Sequence, residues 1–552
     1  MRKNFITKII SVLTAAGCML SIFSVTAGAA VIDEGFESVT KNAGNQASFF
    51  SAESLPSSYN SADLGYVTKI KDQSYNDCWA YAGLAAFESK LLKNGYNIED
   101  MSVDHLNVWA TRRLNGKGWQ RTYTGDGYTY ISAGYLTSWQ GGAEQSDAGT
   151  IDLTKNLFGD DMPTDLTKYG TTAIKYLTSY NINEIKQSII DNGGVFTSYA
   201  TANKCYGSNN TAYFMPQSYT GSYTGHSIEI VGWDDNYSKN RFNGSVNSKP
   251  QNDGAWLVKN SWGNYNSLGG YFWISYEDKY VFGSKYDPSF TIEQVIEIDD
   301  KTKLNQNEIY GATYGFNYID SNEITYINRF NFEDDFRTLD KVVFESECIG
   351  ADYEIHYIPV NNNTPVNNKS EWTVLDSGVI DYKGYICCDI DNFNIPDADG
   401  AIGITINTTA LNDGIDKNSS AYVKNSIGVG EWLIKSNNIY SFLNESQHGE
   451  SYIYQNNKIT DLMDWYRINN NDTLGGTFVI KAVMRETDKV TLLGDADLDG
   501  KLSILDATLI QKNIVQLEEL NDIQTANADV NKNGRIDIND ATLIQKALAE
   551  LE

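Results

Sequence analysis

Residues 491–552 contain a tandem repeat, and it limits what this end of the chain can fold into more than any other stretch does. "GDADLDGKLSILDATLIQK" at 494–512 returns as "ADVNKNGRIDINDATLIQK" at 528–546, offset by 34 residues. Each copy sets oxygen-bearing side chains at loop positions one, three, five, nine and twelve, with glycine at six for a sharp turn. In the first copy these are Asp495, Asp497, Asp499, Ser503 and Asp506, with Gly500. In the second they are Asp529, Asn531, Asn533, Asp537 and Asp540, with Gly534. Lys501 and Arg535 stand at position seven, where a backbone carbonyl is the ligand. Hard oxygens at this spacing suit calcium, one ion per loop, and two loops in register argue against chance.

The rest of the chain must form other domains. At 552 residues it exceeds one hydrophobic core, so two to four domains are expected. A hydrophobic fraction of 41% indicates globular material, and 36 Tyr against 8 Pro favours strands. The formal charge of −28 excludes a nucleic-acid backbone as partner, since no basic patch would survive such a field. Arg2, Lys3 and Lys8, the apolar run Ile9 to Val25, and Ala27-Gly28-Ala29 compose a secretory signal over 1–30. No other apolar run reaches spanning length, so a mature chain without a transmembrane helix, secreted and extracellular, is expected. Residues 31–54 form a short pro or linker segment, too short for a folded inhibitory pro-domain. Outside the signal, Cys78, Cys205, Cys348, Cys387 and Cys388 remain. So few cysteines in an exported chain exclude a disulfide framework.

"KIKDQSYNDCWAYAGLAAFESKLLKNG" opens the first folded region. Ala80, Leu84, Phe87 and Leu91 share one helical face, Asn94-Gly95 ends the run, and Asp77 is placed to cap it. Cys78 then sits on a helical first turn, where free N–H groups and the dipole favour a thiolate, the nucleophile of acyl transfer. In "TGHSIEIVGWDD", His226 starts a β-branched strand that Ile228 and Ile230 fix in the core. In "GAWLVKNSWGNYNSLGGYFWISY", Asn260 follows another apolar strand and precedes Trp262. An amide beside an imidazole fixes its tautomer and ring orientation, and an indole keeps water off that bond.

Together these residues resemble the papain family of cysteine peptidases, over residues 55–287. The resemblance implies an α+β papain-like domain with Cys78 as nucleophile, His226 as proton shuttle, Asn260 as orienter and Gln73 as oxyanion-hole donor. Gln73 lies five positions before Cys78 where the family has six, and Asn76 stands where the family often has a disulfide cysteine. Ala133-Gly134-Tyr135 and Gly141-Gly142 are candidates for the edge that pairs with an extended peptide, or ordinary turn glycines.

Residues 288–487 read as short alternating strands broken by Asn, Asp and Gly, an all-β sandwich. Following a papain-like domain, "NRFNFEDDFRTLDKVVFES" and "ADYEIHYIPV" resemble the lectin-like domain of bacterial papain-family peptidases. That name implies a carbohydrate ligand, but exposed Trp and Tyr also serve as ordinary sandwich core, and a core or spacer role is the favoured reading. Cys387 and Cys388 point to opposite faces of one strand, either bridging to Cys348 or, as favoured here, buried as thiols. After the linker 488–490, residues 491–552 resemble a dockerin, a small helical module with paired calcium loops. That resemblance implies a cohesin domain of a scaffoldin as partner, met through Ile504-Leu505 and Gln511-Lys512 or Ile538-Asn539 and Gln545-Lys546. Two other readings compete: an impaired papain-like binding or inhibitory module, and a different cysteine acyltransferase such as a transglutaminase-like enzyme or cell-wall amidase. "NSWG" at Asn260 argues against the latter, since such folds usually orient histidine with a carboxylate.

Overall fold

The computed structural model describes residues 55–549, apart from 113–117, 120, 152–165, 208, 247, 284–287, 319–320, 431–441, 444–445, 469–475, 487–491, 499 and 521. The expected signal 1–30, segment 31–54 and linker 488–490 lie outside the described residues. Two compact units result, Met1–Arg485 and Glu486–Glu552. Among the described residues no helix is long and apolar enough to cross a membrane.

In the first unit, Cys78–Lys93 forms a helix whose face of Ala80, Leu84, Phe87 and Leu91 is fully buried. The chain leaves it through Asn94 and then Gly95 at φ +86. Asp77 precedes this helix without capping it, because its carboxylate accepts instead from Asn107 Nδ2 at 2.8 Å. The helix packs on a twelve-stranded sheet. From one edge its main path runs Thr302–Asn305, Ile480–Arg485, Thr338–Ser346, Gly384–Asn394, Tyr169–Leu177, Ser289–Glu297, Val195–Thr201, Thr224–Asp234, Ala255–Lys259, Tyr271–Ser275 and Ala212–Tyr213.

This sheet runs through the position where the sequence suggests a break, at 287/288. Strand Ser289–Glu297 pairs antiparallel with Tyr169–Leu177, and Gly384–Asn394 joins the other side of that strand through Gly384↔Lys175 and Tyr385↔Ile174. Only glycine fits at the junction: Gly384 has φ +128, and a Cβ there would lie 2.1 Å from the Ile174 carbonyl oxygen. A second, seven-stranded sheet built on Asp352–Asn361, Asp399–Asn407, Glu323–Asn331 and Ser451–Gln455 completes the β-sandwich. Val342, Phe344 and Ile480 from the first sheet share one buried cluster with Tyr326, Ile355 and Ile404 from the second. Cys388 belongs to this sandwich core, while Cys387 packs on the opposite side with the cluster that includes the Cys78 helix. Every cysteine among the described residues is a free thiol.

The second unit consists of helices Ile504–Ile514, Asp522–Ala528 and Ile538–Leu548. Its core repeats as the sequence does, with Ala507 and Ile510 answered by Ala541 and Ile544 around Ala496 and Ala528. Gly494 N–H donates to the Asn527 carbonyl at 2.9 Å, and Asn527 Nδ2 donates to the Asp495 carbonyl at 2.8 Å, which ties the two halves together.

Candidate active site

Three elements converge here. The Cys78 helix brings its first residue, half-buried, close to Ser227, whose backbone and hydroxyl favour the ionised thiol. Ser227 directly follows His226, so the helix start and the strand Thr224–Asp234 meet at these residues. Strand Ala255–Lys259 delivers the third residue, and His226 Nε2 donates to Asn260 Oδ1 at 2.8 Å. The amide orientation follows from its other partners: Oδ1 also accepts Ser261 N–H at 2.8 Å, and Nδ2 donates to Tyr265 Oη at 3.2 Å. The imidazole is therefore the tautomer with hydrogen on Nε2, which leaves the Nδ1 lone pair for chemistry. Trp262 stacks on the imidazole with ring centroids 4.5 Å apart.

Burial dominates the electrostatics. It pushes the Cys78 thiol up to about 11; the backbone and hydroxyl of Ser227 oppose this, and the charges of Asp126 and Asp77 add to it. Burial at this position therefore opposes the thiolate that the helix start favours. Burial also lowers His226 to about 4, against the Asn260 hydrogen bond. Both shifts run toward the neutral pair, with the proton on sulfur.

Gln73 reaches the same place from another loop. Its backbone N–H donates to the Ser261 carbonyl at 2.8 Å, and its Oε1 accepts from Ser261 Oγ at 2.5 Å. One N–H of its amide donates to the Tyr75 carbonyl at 2.8 Å, inside the shortened loop, so a single side-chain N–H is left over. The edge candidates lie elsewhere. Ala133, Gly134 and Tyr135 are buried within helix Thr129–Thr137. Gly141 packs on the Tyr135 ring, and Gly142 on the Tyr169 carbonyl.

Sequence reasoning missed a buried charge network under these elements. Lys71 Nζ lies 2.7 Å from Glu88, and Lys259 Nζ lies 3.7 Å from Glu88 and 3.6 Å from Glu229. Glu88 belongs to the Cys78 helix, Glu229 to the His226 strand, and Lys259 directly precedes Asn260. Burial works against the Glu88 charge, but Lys71 and Lys259 outweigh it and lower its pKa. Glu229, with Lys259 as its main counter-charge, is raised by burial to about 7. Charged residues this far apart in sequence read as ordinary solvated surface, so no local pattern marks them.

The C-terminal loops are organised around their carboxylates. Ligand atoms of Asp495, Asp497 and Asp506 all lie within 4.8 Å of one another. Asp506 Oδ1 accepts from the N–H groups of Ala496 and Asp497, and its Oδ2 from Ser503 N–H. In the second loop Asp540 accepts from Asn531 and Asp537 N–H, and Asp529 from Asn533 and Gly534 N–H. Gly500 and Gly534 both turn at φ +80. Ser503 and Asp537 also act as helix N-caps. Asp499 lies outside the described residues.

Comparison with known proteins agrees with this architecture. The papain family cysteine protease model matches residues 55–292, the lectin-like domain model 304–483, and the dockerin type I model 493–549. A solved structure of the clostridial cysteine protease Cwp84 after propeptide cleavage is 32% identical, covering 78% of this chain and 99% of that one, with TM-score 0.66. A second structure contains the cysteine protease and lectin-like domains of Cwp84, a surface layer associated protein of Clostridium difficile. It is also 32% identical, covers 78% and 89%, and has TM-score 0.66. Procathepsin L of Felis catus is 22% identical over 233 residues, and cathepsin J of Mus musculus 24% over 236. The chain spans 62% and 60% of the length of these two curated relatives. It belongs to the papain family of cysteine proteases, in the form that continues into a lectin-like domain, and it ends in a type I dockerin.

Proposed function

We propose that this chain is an exported cysteine endopeptidase acting through Cys78, His226 and Asn260, and that its dockerin tethers it, with calcium, to a cohesin domain of a scaffoldin. The observation that carries the peptidase reading is the His226–Asn260 hydrogen bond under Trp262, with Cys78 on the first turn of its helix close to Ser227, the residue after His226. With both groups neutral at rest, Nδ1 of His226 takes the thiol proton as sulfur attacks the peptide carbonyl carbon. It then passes that proton to the leaving amine, the C–N bond breaks, and a thioester remains. Water, deprotonated by the same Nδ1, hydrolyses the thioester and regenerates the thiol. The Cys78 backbone N–H and the remaining amide N–H of Gln73 are the donors for the transient oxyanion.

The dockerin loops fit calcium by their donor chemistry: carboxylates that converge in the first loop, and in both loops carboxylates held by backbone N–H groups around a left-handed glycine. Asp495, Asp497, Asp499, the Lys501 carbonyl, Ser503 and Asp506 would hold one ion. Asp529, Asn531, Asn533, the Arg535 carbonyl, Asp537 and Asp540 would hold the other. When bound, calcium supplies the positive charge that lets these carboxylates stay together, and the helices present the partner surface. Cwp84 is described as surface layer associated, which supports an extracellular, complex-bound location for this chain. For the lectin-like domain, the pairing of its strands with the peptidase sheet supports a buttressing role, and its Trp372, Tyr452 and Tyr454 are buried as core.

Peptide hydrolysis and Cys78 alkylation by iodoacetamide, measured on the wild type, test the peptidase reading. Turnover that stops in step with alkylation is expected. A thiol that alkylates while no peptide is turned over would favour the impaired binding module.

A further inference from the structure

The residues packed on the indole next to Cys78 also place a turn with one exposed carboxylate beside it. Trp79, the residue after Cys78, carries the Arg121 guanidinium over its ring at 4.8 Å. Arg121 uses its N–H groups on the chain around it: Nε donates to the Asp126 carbonyl at 3.1 Å and Nη2 to the Gly125 carbonyl at 2.6 Å. Nη1 donates to the Asn107 and Ala110 carbonyls at 3.2 and 3.3 Å. Gly127 closes against the same indole so tightly that a Cβ would fall 2.3 Å from the ring. The turn carrying Asp126 is thus fastened by backbone contacts to the residue next to the nucleophile.

The Asp126 side chain takes no part in this fastening. It is exposed, and no side-chain hydrogen bond to its carboxylate is seen among the described residues; desolvation by the surrounding loop raises its pKa, and the charge of the nearby Arg121 opposes that rise. Its charge is felt at the Cys78 thiol, as is that of Asp77. Tyr123, in the same loop, meets the exposed Tyr75 edge to face at 5.6 Å. A carboxylate and an aromatic surface on the turn packed against the residue next to Cys78 suit a cation on a long aliphatic stem. Because Arg121 holds this turn through main-chain atoms, its backbone is in place before substrate arrives, which lowers the cost of recognition.

We propose that Asp126 makes this cleft select peptides with an arginine or lysine side chain beside the scissile bond. The inference rests on the peptidase reading above and adds the substrate class to it. It is tested with pairs of N-acetylated peptides in which arginine is exchanged for neutral, near-isosteric citrulline, one position at a time on either side of the bond. The full chain should show about tenfold higher kcat/KM for arginine at one position at low ionic strength, and a smaller ratio in about 1 M salt. Asp126→Asn should bring the ratio close to one, and Asp126→Glu should restore it. No preference at any position, a preference that survives Asp126→Asn, or one seen only with a free N-terminal ammonium would each overturn the proposal.

Alkylation of Cys78 by matched arginine and citrulline peptidyl chloromethyl ketones needs no turnover and separates the two readings. A charge preference in alkylation without hydrolysis would sink the peptidase reading and leave Asp126 in its role. Hydrolysis with no charge preference would sink the Asp126 assignment alone.

Discussion

Glu88 and Glu229, beneath the candidate active site, face lysines of their own domain, whereas Asp506 and Asp540 in the dockerin face backbone N–H groups. All four are buried. In the peptidase domain Lys71 and Lys259 supply the counter-charge from within, so the three elements carrying Cys78, His226 and Asn260 are held by the chain alone. Among the described residues of the dockerin, no lysine or arginine pairs with Asp506 or Asp540. Hydrogen bonds from neutral N–H groups orient a carboxylate but do not cancel its charge. One region has its cations built in, and the other is completed by an ion from solution. Stability in the first should therefore follow the protein's own titratable groups, and in the second the concentration of a metal.

The largest expected effect concerns the chemistry that the built-in cations support. Cys78→Ala or His226→Ala should lower kcat/KM by roughly 10⁴-fold or more, and the double variant should lose little beyond either, because the two act as a unit. Substantial hydrolysis by Cys78→Ala would contradict the assignment. Lys259→Met sharpens the structural side. It leaves Glu229 without its main counter-charge and Glu88 with one lysine fewer, and should destabilise the peptidase unit by about 3–5 kcal/mol in a denaturant melt. An unchanged midpoint would mean the network is dispensable. Gln73→Ala should cost about a hundred- to a thousandfold in turnover if its remaining N–H serves the oxyanion. Turnover near wild type would assign that role to the backbone of Cys78 alone.

The candidate site was readable where a short string carries the geometry. Helical spacing in "CWAYAGLAAFESKLLKNG" places Cys78 at a helix start, "GHSIEIVGW" places His226 on a buried strand, and both calcium loops lie within their own repeats. What escaped depends on residues distant in sequence. Asp77 looks like a cap until Asn107 claims its carboxylate, and Lys71, Glu88, Glu229 and Lys259 look like surface charges until folding brings them together. The sheet takes in strands from beyond residue 287, through Ser289–Glu297 on Tyr169–Leu177 and through Gly384, which lets Tyr385 approach Ile174, pairings that no local pattern announces. The thiol's state escaped for another reason: dipole and hydrogen bonds can be read from a helix start, but the depth of burial that outweighs them cannot.

The smallest expected effect is the pH dependence of the peptidase unit. Burial raises Glu345 to about 8, with the charge of Glu347 adding, and raises Glu229 to about 7. Both folded values lie above the unfolded value of about 4.3, so the stability linked to these protons is whole below that pH and is lost as pH rises through 7 and 8. His226 and His356 act oppositely. Burial lowers both to about 4, so their contribution is whole above about 6.5 and is lost as pH falls towards 4. Of these four groups only the glutamates contribute a slope between pH 6.5 and 8, and Glu345→Gln should flatten the fall in melting temperature over that range. An unaltered slope would show that Glu345 does not carry it.

The comparison between the two regions is tested most directly by one chelator titration of the full chain, read simultaneously as peptide hydrolysis and as binding to a panel of cohesins. Removing calcium should abolish cohesin binding and unfold the dockerin while hydrolysis continues at its original rate, and added calcium should restore binding. Hydrolysis that disappears with the metal, or cohesin binding that persists without it, would contradict the account.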